Sequence, residues 1–128
     1  NLTETHLKKV QALLNASPLI IQPSISVEDR GEVWFLRGNV DFIDGSSLHF
    51  RELFIGRGRK HKKTYTYHYQ GVDGHLIFRY DNSPHFPNLA NAPHHKHQAD
   101  GNVESSNPPE LAIILREIES LIAIDHTA

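Results

Sequence analysis

The chain has 128 residues, 38% hydrophobic and 22% charged, with a formal net charge of −2, which fits one globular domain and excludes a disordered chain or a domain that coats nucleic acid by bulk charge. It contains no cysteine, so disulfides, thiolate catalysis and cysteine-ligated metal centres are excluded. No apolar run approaches the roughly 20 residues of a bilayer span and no leader-like segment opens the sequence, so a cytoplasmic protein without membrane contact is expected.

Leu7, Val10, Leu13 and Leu14 recur at helical spacing, which predicts an amphipathic helix over Thr3–Asn15, with Thr3 as its cap and Pro18 beyond its end. Leu19–Val27 is β-branched and apolar, and Pro23 assigns that strand to an edge or bulges it. Glu32–Phe42 and Ser47–Ile55 read as a hairpin around Asp44-Gly45. The loop RGRKHKK at 57–63 follows and holds five Lys or Arg. In Thr64–Gln70, alternation puts Tyr65, Tyr67 and Tyr69 on one face and Thr66 and His68 on the other. Asp73-Gly74 then turns into a strand over His75–Tyr80.

Residues 82–109 hold five of the seven prolines and show no periodicity, so a long functional loop is expected there. After Pro108-Pro109, Leu111, Ile114, Leu115, Ile118, Leu121 and Ile122 share one helical face. The expected fold is α+β, a single domain over residues 1–128. Its antiparallel meander of about five strands is flanked by an N-terminal and a C-terminal helix, which cover one face.

Three clusters could carry chemistry. His85, His94, His95 and His97 surround Lys96 within the long loop. Zinc accepts several imidazoles, so these four histidines are a candidate ligand set, although the helical zinc-protease spacing is absent. Without a metal or other cofactor, His95 and His97 could act as acid and base on a phosphodiester. Arg79 and Lys96 could then stabilise charge on the phosphorus oxygens. The third reading of the loop is a solvated polar segment.

The second cluster is Arg79 and Asp81, which project from one strand face and either orient catalytic groups or buttress the loop. Glu52 lies on the apolar face of its strand with Leu48, Phe50 and Phe54. A carboxylate there needs a partner, and Arg79 is a candidate. The third cluster is the basic loop, Arg57, Arg59, Lys60, Lys62 and Lys63, with Tyr67 downstream. Cations beside aromatic rings suit single-stranded RNA. A solvated loop and a tyrosine stripe belonging to the core are the alternative. His49, His61, His68 and His75 receive no assignment, and Trp34 reads as a core residue.

Taken together, Leu48-His49-Phe50-Arg51-Glu52, Tyr65-Thr66-Tyr67-His68-Tyr69-Gln70, Phe78-Arg79-Tyr80-Asp81-Asn82 and Pro93-His94-His95-Lys96-His97 resemble the TumE family over residues 30–122. The family usually has an aromatic residue where this chain has Ala92. The resemblance implies a toxin encoded beside a cognate antitoxin, typically of helix-turn-helix type. It supplies no mechanism. The combined expectation is a metal-independent ribonuclease built on Glu52, Arg79, Asp81, His95, Lys96 and His97. A non-catalytic module that blocks a cellular target and a metal-binding protein stand as alternatives, and a homodimer is compatible with either.

Overall fold

Period-two alternation in the central strands commits one face of a sheet to apolar side chains and the other to polar ones. In the computed structural model, which describes residues 2–56 and 62–127, that division organises the whole molecule. The elements run α1 (Leu2–Ala16), β1 (Ile20–Asp29), β2 (Val33–Phe42), β3 (Ser47–Ile55), β4 (Lys62–Gln70), β5 (Leu76–Asp81), β6 (His95–Gln98), β7 (Val103–Ser105) and α2 (Leu111–Thr127). The strands form one sheet in sequence order, β1 to β7, and every neighbouring pair is antiparallel.

The sheet has seven strands rather than about five, because the expected loop contains the β6–β7 hairpin. His-Lys-His-Gln carries polar residues at both parities, so it lacked the apolar alternation that marks a strand. At the opposite edge, β1 carries Pro23, as expected of an edge strand. Pro23 pairs with Val40 in regular register, and the one shift in the ladder falls earlier, between Ile20 and Gln22. The first helix begins at Leu2, which puts Thr3 inside its first turn rather than at its cap.

Both helices pack on the apolar face. Val10 and Leu14 of α1 and Leu111, Ile114, Leu115, Ile118 and Ile122 of α2 join Leu36, Val40, Phe42, Leu48, Phe50, Tyr65, Tyr67, Tyr69 and Phe78 of the sheet in one core. The tyrosine stripe is therefore core. Gly38 faces Phe50 across the β2–β3 ladder, and a Cβ there would stand 2.2 Å from the Phe50 ring. The ring can cross the strand only because that Cβ is missing. Among the described residues no helix covers the other face, which presents Arg37, Arg51, Thr66, His68 and Arg79.

Candidate functional site

Strand parity divides the expected site residues between the two faces. On β5 and β6, Arg79 pairs with His97 and Asp81 with His95, while Tyr80 pairs with Lys96 between them. Arg79, Asp81, His95 and His97 therefore project together on the open face. Lys96 projects to the helix side, where its Nζ lies 2.7 Å from Glu117 Oε2 and the Tyr80 hydroxyl donates to Glu117 Oε1. Lys96 is thus engaged across the sheet from Arg79 and does not share a phosphate with it.

Glu52 also points to the helix side. It is 1% exposed and receives hydrogen bonds from His6 Nε2 at 2.7 Å and the Tyr67 hydroxyl at 2.5 Å, with Lys63 Nζ 3.0 Å away. Burial pushes its pKa up, but the His6 hydrogen bond, the Lys63 cation and the Tyr67 hydroxyl outweigh that and hold it at about 2. Its partners are therefore His6, Lys63 and Tyr67, not Arg79. Tyr67 is 0% exposed, so its ring offers no surface on which an RNA base could stack. Lys63 serves Glu52, and Lys62 is exposed on β4. Arg57, Arg59 and Lys60 lie outside the described residues.

The open-face cluster centres on Asp81. Its Oδ1 accepts from the Ser83 amide at 3.0 Å and the Ser83 hydroxyl at 2.8 Å. Its Oδ2 accepts from Arg79 Nε at 3.2 Å, and His97 Nε2 lies 3.3 Å from the same oxygen. Burial works against the charge, but the Ser83 amide and hydroxyl, Arg79 and His95 keep the carboxyl below its ordinary value. Asp81 is thus a fixed anion tied to strand and loop at once.

His95 sits beneath this arrangement, 1% exposed. Its Nδ1–H donates to the Pro93 carbonyl at 2.8 Å. Its Nε2 then faces Asp81 Oδ1 at 2.9 Å without making a hydrogen bond. Phe86 closes over the edge of the ring, with centroids 4.8 Å apart. The His95 ring therefore has almost no surface open to solvent, unlike that of His97.

His97 is 27% exposed. Burial, helped by the Arg79 guanidinium, lowers its pKa below the ordinary 6.5 despite the opposing pull of Asp81. At neutral pH it therefore carries an available lone pair. A pocket of about 360 Å³ is lined by Thr64, Tyr65, Thr66, Arg79, Asp81, Ser83, His85 and His97. Three of the four loop histidines thus gather on the Arg79 side. His94 turns away and takes its place against Tyr65, its Nδ1 2.7 Å from the tyrosine hydroxyl and its ring stacked on the other.

This changes the candidate ligand set. Asp81, His95 and His97 each offer a ligand atom, all within 4.8 Å of one another, whereas His94 is held elsewhere. Two imidazoles and a carboxylate suit zinc or another first-row divalent ion. Asp81 was legible as a partner of Arg79, but not as a partner of histidines. Ser83, Phe86 and Thr66 carried no sequence signal beyond the turn tendency of Asp81-Asn82.

The sequence-family model described as Toxin TumE matches residues 10–122 of the chain. No curated protein and no solved structure matches it.

Proposed function

The chain belongs to the TumE toxin family, and from that membership we propose that it is a toxin that cleaves single-stranded RNA in the pocket between Arg79, His85 and His97. Convergence of an Asp81-backed imidazole, a second histidine and an arginine on one open pocket carries this reading. His97, with Nε2 turned to Asp81, takes the proton of a ribose 2′-hydroxyl on its other ring nitrogen. The 2′-oxygen bonds to phosphorus, the bond from phosphorus to the 5′-oxygen breaks, and His85 returns a proton to that oxygen. Arg79 stabilises the charge that builds on the phosphoryl oxygens. Ser83 and Arg79 hold Asp81, and Asp81 positions His97. The products are a cyclic phosphate and a 5′-hydroxyl. Family membership also implies an antitoxin partner.

The experiment incubates the purified chain with single-stranded RNA and compares His97→Ala, Arg79→Ala and His85→Ala with the parent. Cleavage lost by about 10²–10⁴-fold in His97→Ala supports the acid–base role. Growth arrest with intact RNA, unaffected by all three substitutions, overturns it and leaves the non-catalytic module.

One observation favours a second reading. The unpartnered, buried Nε2 of His95 faces a carboxylate, and a divalent cation held by Asp81, His95 and His97 would sit between them. Activity abolished by chelator and restored by zinc or manganese selects that reading, and activity indifferent to chelator selects the metal-free one.

A further inference from the structure

The open face beyond the pocket has its own organisation. Arg37 of β2 stands directly opposite Arg51 of β3, and His68 of β4 directly opposite both His49 of β3 and Arg79 of β5. Like charges in directly opposed positions destabilise a sheet. Carboxylates normally relieve such contacts, yet among the described residues none lies in salt-bridge range of Arg37 or Arg51. Arg37 instead lies 5.0 Å over the Phe35 ring, and His49 bonds Asn39 at 2.6 Å. The cost shows at His68, whose pKa is lowered by burial and then by Arg79 and His49.

These residues line a groove of about 460 Å³ that shares Thr66 and Arg79 with the pocket. Its exposed side chains are Arg37, Asn39, His49, Arg51 and, less fully, His68 and Arg79. None is acidic and none is a large apolar residue. A protein partner would need an apolar centre to such an interface. Opposed guanidinium groups with amide and imidazole donors between them fit phosphates instead.

We propose that this groove, from Arg37 and Arg51 through His68 to Arg79, is the track that holds the phosphate backbone of single-stranded RNA and leads it into the pocket. The proposal rests on the reading of the pocket as an RNA-cleaving site, and it moves the main RNA contacts from the basic loop to the sheet. Phosphates bridging the Arg37–Arg51 pair replace its repulsion with charge-assisted hydrogen bonds. Gly38 and Phe50 line the groove between the two arginines, and the Phe50 side chain is buried on the helix side.

The test measures binding separately from cleavage. The full chain carrying His97→Ala is titrated against a fluorescein-labelled oligouridylate at several salt concentrations, with and without Arg37→Gln/Arg51→Gln. The expected result is affinity weakened by about tenfold or more and a salt slope reduced by roughly 1.4, the contribution of two phosphate contacts to a single strand. Arg37→Lys/Arg51→Lys keeps both charges and should retain the parental salt slope, which separates lost charge from lost folding. Equal affinity and slope in the Gln variant overturn the track. RNA binding untouched while antitoxin binding falls also overturns it, assigning the face to the antitoxin. If RNA binds through these arginines but the chain with His97 intact does not cleave it, the track stands and the nuclease reading fails. If cleavage depends on His97 but RNA binding ignores the arginines, the nuclease reading stands and the track fails.

Discussion

Asp81 faces Arg79, His95 and His97 at once, so its substitution tests the cluster more sharply than any single histidine. Asp81→Asn keeps the shape and removes the charge that orients His97. Cleavage is expected to fall by about 10²-fold or more while secondary structure is retained, checked by RNA cleavage beside circular dichroism. Lys96→Gln should do the reverse. It breaks the Glu117 pair on the helix side and lowers stability by about 1 kcal/mol, but leaves the cleavage rate near parental, since Lys96 is on the wrong face to touch substrate.

Glu52 gives a pH prediction with a definite sign. Its carboxyl titrates at about 2 in the folded chain against 4.5 unperturbed. A depressed carboxylate stabilises the fold fully above its unfolded value, and that contribution is lost as pH falls from 4.5 toward 2. The difference corresponds to about 3 kcal/mol. Urea unfolding at successive pH values should show that loss, and Glu52→Gln should flatten the curve while lowering stability at neutral pH. A Gln variant with the parental acid limb would remove Glu52 as its cause.

The β2–β3 ladder depends on one missing side chain. Gly38→Ala would drive a Cβ into the Phe50 ring and is expected to cost about 1–3 kcal/mol. The double variant Gly38→Ala/Phe50→Leu should recover part of that loss, measured by thermal or urea unfolding. The β6–β7 hairpin works differently. Gly101 adopts φ 90° with nothing near a Cβ, so an alanine there meets backbone strain alone. The hairpin matters because β6 brings His95 and His97 into register with Asp81 and Arg79. Without it the histidines would remain on a loop, unable to hold a fixed geometry with Asp81.

The molecule as a whole separates its tasks by face. The helix side buries the apolar core and its satisfied polar groups, Glu52 and Glu117 with their cations. The open side collects arginines and histidines, and among the described residues Arg37 and Arg51 have no carboxylate in salt-bridge range while Arg79 has Asp81. Because every strand pairs with its chain neighbour, this two-faced sheet assembles from short-range contacts. Expression in cells is expected to arrest growth, with His97→Ala and Arg37→Gln/Arg51→Gln each relieving the arrest, read as growth curves beside RNA integrity. Among the described residues no helix is long and apolar enough to cross a membrane.

The two helices and the strands from β1 to β5 were legible in the chain because burial imprints a period on apolar residues, 3.6 for a helix and 2 for a strand. The tyrosine stripe and the edge position of the Pro23 strand followed from the same rule. The Arg79–His97 segment was legible as a location, through its residue types and the family motif. Its internal arrangement was not. The strand β6 is polar at both parities, so no hydrophobic pattern announced it. Without it nothing showed that Lys96 must oppose its two histidine neighbours. Only strand pairing and the packing of α1 on the sheet decided that His95 is buried behind Asp81, that Glu52 belongs to His6 and Lys63, and that Arg37, Arg51 and Arg79 share a face. Such facts depend on register between distant segments, and register is fixed by packing across the sheet rather than by any one segment's composition.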